Sequence, residues 1–410
     1  MNILVIDRAP PCDLLQGNAL IGQHLFRRLR HHQLTIVCPA PQHAIERVEA
    51  ELSMLFDVVH LVPRERPIDT LMGLAEPTLA RYGLPIGKSD LRAVRAFQAR
   101  VRSVLAAGTF DVIHTRQLPM AAITATIKHP AKLLELVDSE TLQASRRMRA
   151  KAPQTWLRAA SARLLESRAV RHFHACTTVA GADAQVVQQL APSVPVHVTP
   201  NGVDAAYFAP LDLPEQPETI IFTGAMSFPP NVTAVLHFYH NILPLIRREL
   251  PNVRFVIAGR DPAPSIAALA SDPFVTITGF VDDMRPWLAR ANLMICPMVM
   301  GSGIKNKVLE ALAMSRPVVA TTMGVEALEV SSGHELVIAD TAEAFAAATL
   351  ALLRDAAARR RMGAAGRELV LRRYTWGACA ASYDAIYSQL AARPGNATRL
   401  ANLRDKAVSR

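Results

Sequence analysis

Apolar and polar residues alternate in a regular order along this chain from its first residues onward. Short runs rich in Val, Ile and Leu are each followed by a longer segment whose apolar residues recur at helical spacing. A strand followed by a helix, repeated many times, predicts parallel βαβ units. The predicted strands of the first half are residues 3–6, 34–38, 57–61, 111–114, 132–137, 175–179 and 194–198, and those of the second half are 219–223, 254–258, 275–277, 293–296 and 317–320.

A turn-rich stretch separates the two series of strands. Pro200 and the Asn201-Gly202 pair interrupt the pattern, and a proline-rich segment continues to Pro217. We therefore predict a Rossmann-like N-terminal domain at 1–200, a second Rossmann-like domain at 201–373, and a last helix with a basic tail at 374–410. That helix is expected to pack back toward the N-terminal domain and its tail to fray. In open α/β sheets of this kind, ligands bind beyond the C-terminal ends of the strands.

Composition narrows the possible partners. The 410 residues carry a formal net charge of +10 and are 50% hydrophobic, so each domain can bury a core and the surface attracts anions. Nucleotide phosphates, lipid headgroups and nucleic acids are all anionic. Aromatic residues make up only 5% of the chain and are not interleaved with a basic stretch, which disfavours stacking on single-stranded nucleic acid. No other nucleic-acid-binding signature is present, and we expect no such partner.

The cysteines and the apolar runs bear on the compartment. Five scattered cysteines without a Cys-x-x-Cys pair indicate buried thiols in a reducing compartment. The first residues have the pattern of a strand and not of a signal peptide, and no apolar run reaches about 18 residues. We therefore expect a cytoplasmic protein. An arginine-rich segment at 146–171, which includes Trp156, favours peripheral contact with the inner face of an anionic membrane, although a solvated helix explains it equally well.

The segment from Gly301 to Glu310 carries the strongest chemical signal. Its glycines open a loop that leads directly into an apolar helix, so loop amides and the helix N-terminus create a region of positive potential. Lys305 and Lys307 add two charges that suit a diphosphate, and Glu310 suits the hydroxyl groups of a ribose. The alternative is an ordinary solvated helix start, although cations at this end oppose the helix dipole.

Several different short motifs occur in the second half of the chain. They are Pro200-Asn-Gly-Val-Asp204, Phe222-Thr-Gly-Ala-Met226 with Pro230-Asn231, Arg254-Phe-Val-Ile-Ala-Gly-Arg260, Thr278-Gly-Phe-Val281, Gly303-Ile-Lys-Asn-Lys-Val-Leu-Glu310 and Pro317-Val-Val-Ala320. Together they resemble the glycosyltransferases of family 4 (group 1), which have the GT-B fold, and in particular the sugar transferases linked to exopolysaccharide gene clusters. The resemblance is close over roughly residues 195–330 and loose over the N-terminal half.

The resemblance implies an α/β protein of GT-B fold, with two Rossmann-like domains facing each other across a cleft. It implies retaining transfer of a sugar from a nucleoside-diphosphate donor, held by the C-terminal domain, to a saccharide or polyprenyl-linked acceptor, held by the N-terminal domain. Neither a further cofactor nor a metal ion is implied. The chain contains no Asp-x-Asp pair that could chelate a donor-bound cation, so fixed cations and amides must neutralise the departing diphosphate.

Two other functions remain compatible with the sequence. One is a non-catalytic nucleotide-sugar-binding or scaffold protein, and the other is a nucleotide-sugar epimerase, for which we identify no acid/base residues. A dinucleotide oxidoreductase is disfavoured because the first loop lacks the Gly-x-Gly-x-x-Gly pattern.

The chain departs from the family pattern at two positions. Ser302 replaces the first of two glutamates eight positions apart, and the loop after Gly224 lacks the usual Arg and Lys. We therefore assign the phosphates to the two lysines. A plain helix start is the alternative for Gly17 and Asn18, and a place in the core is the alternative for Phe280. The predicted donor-binding residues are Gly17, Asn18, Gly224, Gly279, Phe280, Val281, Gly301, Ser302, Gly303, Ile304, Lys305, Lys307 and Glu310.

The predicted catalytic residues are Lys305, Arg116 and Asp138. Arg116 is the candidate for an acceptor or phosphate contact, and Asp138 is the candidate for orienting an acceptor hydroxyl. Capping of the following turn is the alternative for Asp138, and His114, which ends a predicted strand two positions before Arg116, is predicted to be structural. No protein nucleophile is required, because in a front-face displacement the donor phosphate itself takes the acceptor proton.

Overall fold

The computed structural model describes residues 1–12, 17–64, 88–146, 153–301 and 303–394. The chain divides into two compact units, of which the first comprises Met1–Pro200 with Cys379–Arg410 and the second Asn201–Ala378. The division after Pro200 falls at the predicted turn-rich stretch. The return to the first unit comes at Cys379, slightly later than the predicted start of the last part at residue 374.

The first unit is built on one parallel sheet. Its strands are β1 (Asn2–Ile6), β2 (Gln33–Pro41), β3 (Val58–Arg64), β4 (Val112–Arg116), β5 (Lys132–Glu135), β6 (Ala175–Thr178) and β7 (Val196–Val198). Its helices are α1 (Gly17–Arg28), α2 (Ile45–Ser53), α3 (Lys88–Ala107), α4 (Leu118–Thr124), α5 (Glu140–Arg146), α6 (Pro153–Val170) and α7 (Gly181–Leu190). The strand order is β3-β2-β1-β4-β5-β6-β7, and every pair is parallel.

The second unit repeats this plan. Its strands are β8 (Thr219–Thr223), β9 (Arg254–Ala258), β10 (Val275–Gly279), β11 (Leu293–Cys296), β12 (Val318–Ala320) and β13 (Val337–Ile338), in the order β10-β9-β8-β11-β12-β13. Its helices are α8 (Pro229–His237), α9 (Leu243–Arg247), α10 (Pro264–Ala267), α11 (Arg285–Arg290), α12 (Asn306–Ala313), α13 (Thr322–Val325), α14 (Ala342–Arg354) and α15 (Ala356–Arg373), and the last helix of the chain is α16 (Trp376–Ala391).

The central strands form the buried layer of each unit. Both β8 and β11 are buried at every residue, because helices cover the two faces of a parallel sheet. This burial explains why these strands appear in the sequence as continuous apolar runs. Each fully buried Ile, Leu or Phe contributes about 1.5–3 kcal/mol, so the apolar layer supplies most of the favourable free energy that positions the loops at the strand ends.

The last helix, α16, completes the first unit through contacts with the N-terminal sheet. On α16, Tyr387 donates or accepts a hydrogen bond with His114 Nδ1 of β4 at 2.7 Å, and Tyr383 lies 3.3 Å from the hydroxyl of Thr177 of β6. Both tyrosines are buried. The residues of α16 from Cys379 onward therefore belong to the fold of the N-terminal sheet, although they come from the far end of the sequence.

The predicted strands are all confirmed, with ends that differ by at most a few residues. Strand β13 was not predicted, because two residues carry no detectable pattern. Residues 342–373 form the two helices α14 and α15, because Asp355 ends α14 and its side chain accepts the N–H of Ala358 at the start of α15 (2.8 Å). Beyond Pro394, the predicted fraying tail lies outside the described residues. Among the helices that the structure describes, none combines the length and apolarity needed to span a bilayer.

Candidate functional site

The second sheet has a topological switch point between β8 and β11. Strands β9 and β10 follow β8 on one side, whereas β12 and β13 follow β11 on the other, so the connections leave the two central strands in opposite directions. Ligands of open α/β sheets bind in the crevice outside the strand C-termini at such a point. The chain passes Gly224 after β8, and passes Gly301 and Gly303 after β11. The loop predicted from the sequence therefore lies at the switch point.

Two glycines keep the crevice clear of side chains. Gly224 has φ +143°, and a Cβ atom there would lie 2.7 Å from Asn231 Nδ2 and 2.9 Å from Lys307 Nζ. Gly259, after β9, has φ +147°, and a Cβ atom there would lie 1.8 Å from the carbonyl oxygen of Gly224. Other residues rarely adopt these backbone angles. Glycine is thus needed at both positions, because side chains of Asn231 and Lys307 fill the space beside Gly224 and the backbone of Gly224 fills the space beside Gly259.

Lys307 is held in place beside Gly224. Its ammonium donates a hydrogen bond to Asn231 Oδ1 at 2.7 Å and lies 3.8 Å from the centre of the Phe222 ring. The amide nitrogen of Asn231 in turn donates to the carbonyl of Ala225 at 2.9 Å. Burial lowers the pKa of Lys307 to about 8. The lysine therefore stays largely charged at neutral pH while it is partly stripped of water, a state in which a bound anion would gain strongly from it.

Lys305 occupies the position immediately before α12. Its ammonium donates to the carbonyl of Gly303 at 2.7 Å, and Gly301 and Gly303 have φ values of +123° and +69°. Lys305 is the N-cap of α12. This helix has eight residues, and the N–H groups of its first turn have no hydrogen-bond partners within the helix. Lys305, Lys307 and these amides give this end of the sheet a positive potential.

Glu310 lies within α12, one turn after Lys307. Burial raises its pKa to about 7, and the charge of Lys307 opposes that rise. Near neutral pH the carboxyl group is therefore present both with and without its proton, so it can donate as well as accept a hydrogen bond to a hydroxyl group. Ile304, the predicted neighbour in the loop, is partly buried and packs against the core of the second unit.

The predicted residues at the end of β10 are partly accessible. Gly279 ends the strand with φ +66°, and a Cβ atom there would meet nothing within 4 Å. Phe280 is 72% exposed, so the alternative that it fills the core is wrong. Val281 is partly buried beside it. The neighbouring pair Asp282-Asp283 behaves as a turn, since Asp283 accepts the backbone N–H of Arg285 at the start of α11 (2.9 Å).

Gly17 and Asn18 were predicted to bind the donor, with a plain helix start as the alternative. The structure places both in the first turn of α1, so their backbone N–H groups belong to a helix N-terminus. The residues immediately before them, and Ser302 in the second unit, lie outside the described residues. The prediction that Ser302 replaces a sugar-binding glutamate is therefore not tested by the structure.

The structure does not support the prediction that Arg116 contacts the acceptor or a phosphate. Its fully buried guanidinium pairs with Asp7, which follows β1, and makes two hydrogen bonds of 2.9 and 3.0 Å to Glu135 at the end of β5. His114 Nε2 lies 3.0 Å from the same Glu135 carboxylate. Burial would raise the pKa of Glu135, but Arg116 and His114 hold it at about 2. Arg116 thus has a structural position inside the first unit.

Asp138 makes a hydrogen bond with a side chain of the following helix. Its carboxylate accepts a hydrogen bond from Gln143 Nε2 at 3.1 Å, and it lies in the turn between β5 and α5. The N-terminus of α5 is capped by a residue that the sequence analysis missed, Glu166, which accepts the N–H groups of Glu140 and Thr141 at 3.2 and 3.1 Å. This cap had no sequence signal, because Glu166 comes from α6.

Asn231 and Phe222 were missed as functional residues, although both lie in the quoted motifs. The Pro230-Asn231 pair at a helix start was an available signal for Asn231. The partner of Asn231, Lys307, is 76 positions later in the chain. Only the three-dimensional arrangement of β8 beside β11 brings the two together.

Comparison with known proteins agrees with this architecture. Residues 217–355 match the family model described as "Glycosyl transferases group 1". An MMP α-(1→4)-mannosyltransferase of Mycolicibacterium hassiacum is 26% identical over 92% of this chain and 95% of its own length. A protein in the cps region of Klebsiella pneumoniae is 27% identical over 31% of this chain, and the aligned part spans 35% of that protein.

A solved structure has the same fold over nearly the whole chain. The Anabaena protein HepE in complex with UDP superimposes with a TM-score of 0.66, at 13% sequence identity, over 95% of this chain and all of the HepE chain. At that identity the likeness concerns the fold, which is two Rossmann-like domains. The chain therefore has the GT-B fold, and residues 217–355 of its second unit are similar to the glycosyl transferases of group 1.

Proposed function

We propose that this protein is a retaining glycosyltransferase that uses a nucleoside-diphosphate sugar as donor. The observation that carries the proposal is the ammonium of Lys307, held by Asn231 and Phe222 beside the side-chain-free Gly224. An electrostatic site of this kind stabilises the charge that develops on a departing diphosphate. By analogy, the UDP complex of HepE supports a nucleotide-linked donor, and the mannosyltransferase named above supports sugar transfer.

The proposed roles follow the loop from its glycines to its carboxylate. The diphosphate is bound by Lys305, Lys307 and the first amides of α12. Glu310 accepts hydrogen bonds from the ribose hydroxyls. The backbone at Gly279 and Phe280 contacts the base. Two lysines in place of a divalent cation make the reaction metal-independent in this proposal, in keeping with the absence of an Asp-x-Asp pair from the sequence. Arg116 is assigned no catalytic role because its guanidinium is buried in ion pairs, whereas Asp138 stays a prediction for orienting an acceptor hydroxyl.

The phosphate assignment is tested by nucleotide binding. Lys307→Met and Lys305→Ala are each expected to weaken the binding of UDP or GDP, whichever binds, by at least tenfold, since each removes a cation from a partly desolvated site. Calorimetric titration of both nucleotides measures this change, and Lys128→Ala, an exposed lysine of the first unit, is the control. Unchanged affinity in both lysine variants would overturn the assignment.

Catalysis is tested separately, with UDP-glucose and GDP-mannose as donors. Release of free sugar or transfer to a saccharide acceptor is expected from the wild-type protein, and its loss is expected from Lys307→Met. Tight nucleotide binding without hydrolysis or transfer of either donor would favour a binding or scaffold protein. The protein of the cps region supports a surface-polysaccharide acceptor by analogy.

We also propose that α6 contacts an anionic membrane, which would bring the first unit to a lipid-linked acceptor. Trp156, Leu157 and Leu164 are 55%, 66% and 42% exposed on this helix. Its one acidic residue, Glu166, is buried. Exposed arginines flank the apolar residues at positions 158, 163 and 168. An apolar face bordered by arginines is suited to the interface of an anionic bilayer.

Sedimentation with vesicles tests the membrane contact. We expect the protein to bind vesicles that contain phosphatidylglycerol at low salt and to bind less well to vesicles of phosphatidylcholine alone. A Trp156→Ala, Leu157→Ser double variant should lose most of this binding, because it removes apolar area that enters the interface. Met54→Ser, which removes a similarly exposed apolar side chain elsewhere on the first unit, serves as control. Equal sedimentation of the double variant and the wild type would exclude α6 as the contact.

A further inference from the structure

Three side chains with metal-binding groups meet where the last helix packs against the first unit. His31 and His32 lie in the turn between α1 and β2, and Asp384 lies on α16. None of them belongs to the switch point of the second sheet or to the buried ion pairs of Arg116. The cluster is therefore independent of the proposed function.

The ligand atoms of these side chains converge. His32 Nε2 lies 2.6 Å and His31 Nε2 lies 3.1 Å from the same oxygen, Asp384 Oδ1. One ligand atom from each residue lies within 4.8 Å of those from the other two. A tetrahedral zinc ion with bonds of about 2.0–2.1 Å to nitrogen and oxygen has neighbouring ligand atoms about 3.3 Å apart. The distance from His31 is close to that spacing, whereas the distance from His32 is shorter, so His32 and Asp384 must move apart to admit the ion.

The surroundings hold the ligands in this arrangement. His32 is buried, with its ring edge-on to Tyr387 at a centroid distance of 5.9 Å, and its other nitrogen lies 3.5 Å from the amino group of Met1. His31 is exposed and Asp384 is partly exposed, which leaves room for a water molecule as fourth ligand and a path for the ion from solvent.

We propose that His31, His32 and Asp384 bind one divalent transition-metal ion, for which Zn²⁺ is the best match. Two imidazoles and one carboxylate are ligands that suit Zn²⁺, Ni²⁺ or Cu²⁺, whereas Mg²⁺ and Ca²⁺ prefer oxygen ligands alone. The ion joins a turn near the start of the chain to a helix near its end. Its role is structural: it fixes α16 to the N-terminal sheet in addition to the contacts of Tyr383 and Tyr387.

Metal titration of the untagged full chain tests the proposal. After removal of metal with EDTA and dialysis, we expect the protein to bind one Zn²⁺ per chain with micromolar or tighter affinity in calorimetry. Co²⁺ at the same site should give the visible absorption bands of a tetrahedral complex. Zn²⁺ should also raise the melting temperature, because an ion that binds only the folded state stabilises it by mass action.

Two ligand variants and one control variant make the result specific. His31→Ala is expected to weaken Zn²⁺ binding at least tenfold and to remove the thermal shift without unfolding the protein, because His31 is exposed. Asp384→Asn should do the same, and its circular dichroism spectrum verifies the fold. His43→Ala removes an exposed histidine of the same unit and should leave binding unchanged. The proposal is overturned if the wild type takes up no Zn²⁺ at 10 µM protein, or if His31→Ala binds it as the wild type does.

Discussion

At the scale of single residues, glycines, which have no side chain, are as important to the second unit as the charged residues packed beside them. Gly224 is the clearest case, because Asn231 and Lys307 occupy the space around its missing Cβ atom. The sequence indicated a turn at Gly224, but it carried no sign that a lysine more than 80 positions later would lie against it.

Gly224→Ala is therefore expected to impair both stability and nucleotide binding. The positive φ of Gly224 costs another residue about 1–3 kcal/mol, and the new methyl group must displace Asn231 or Lys307 from their hydrogen bond. We expect a lower melting temperature and at least tenfold weaker UDP or GDP binding in calorimetry. Gly181→Ala is the matched control, since a Cβ atom at Gly181 meets nothing within 4 Å and its effect should stay within about 0.5 kcal/mol. Wild-type affinity in Gly224→Ala would contradict the account of the crevice.

At the scale of elements, the two sheets use their switch points differently. In the first unit, Arg116 at the end of β4 reaches Asp7 after β1, so an ion pair fills the point where the strand order reverses. In the second unit, the equivalent point between β8 and β11 is bordered by glycines and lysines. The same supersecondary plan thus places a buried ion pair at the switch point of one sheet and two lysines at the switch point of the other.

Removal of the buried cation should destabilise the protein strongly. Arg116→Met leaves Asp7 and Glu135 buried together without a positive charge, and loss of one partner from such a pair costs about 3–5 kcal/mol. Urea unfolding followed by circular dichroism measures the effect on the first unit. Arg372→Met breaks an exposed pair with Glu368 and should cost only about 0.3–0.5 kcal/mol. Nucleotide binding to the second unit should be unchanged in Arg116→Met. A loss of stability below 1 kcal/mol in this variant would show that the ion pair is not structural.

At the scale of the whole molecule, the division into two α/β units and nearly every strand were predictable from the sequence, because buried parallel strands are unbroken apolar runs bounded by turns. The loop from Gly301 to Lys307 was predictable for the same reason, since it follows such a strand. Arg116 was not, because a strand-end arginine has the same local sequence whether it faces solvent or a buried Glu135. Asn231 and Glu166 were missed because their partners are distant in sequence. The local pattern of apolar residues indicates whether a segment is a helix or a strand. Which charged side chains pair depends instead on which strands become neighbours in the sheet.

The division of α16 between the two units also has a consequence for synthesis of the chain on the ribosome. The N-terminal unit takes Met1–Pro200 from the beginning of the sequence and Cys379–Arg410 from its far end. At typical translation rates of about 5–20 residues per second, the intervening segment requires roughly ten to forty seconds. During that interval the nascent N-terminal sheet has no Tyr383 or Tyr387 to cover Thr177 and His114. The second unit is made from one continuous segment and can complete its fold first, so the domain that is translated first is the one that is finished last.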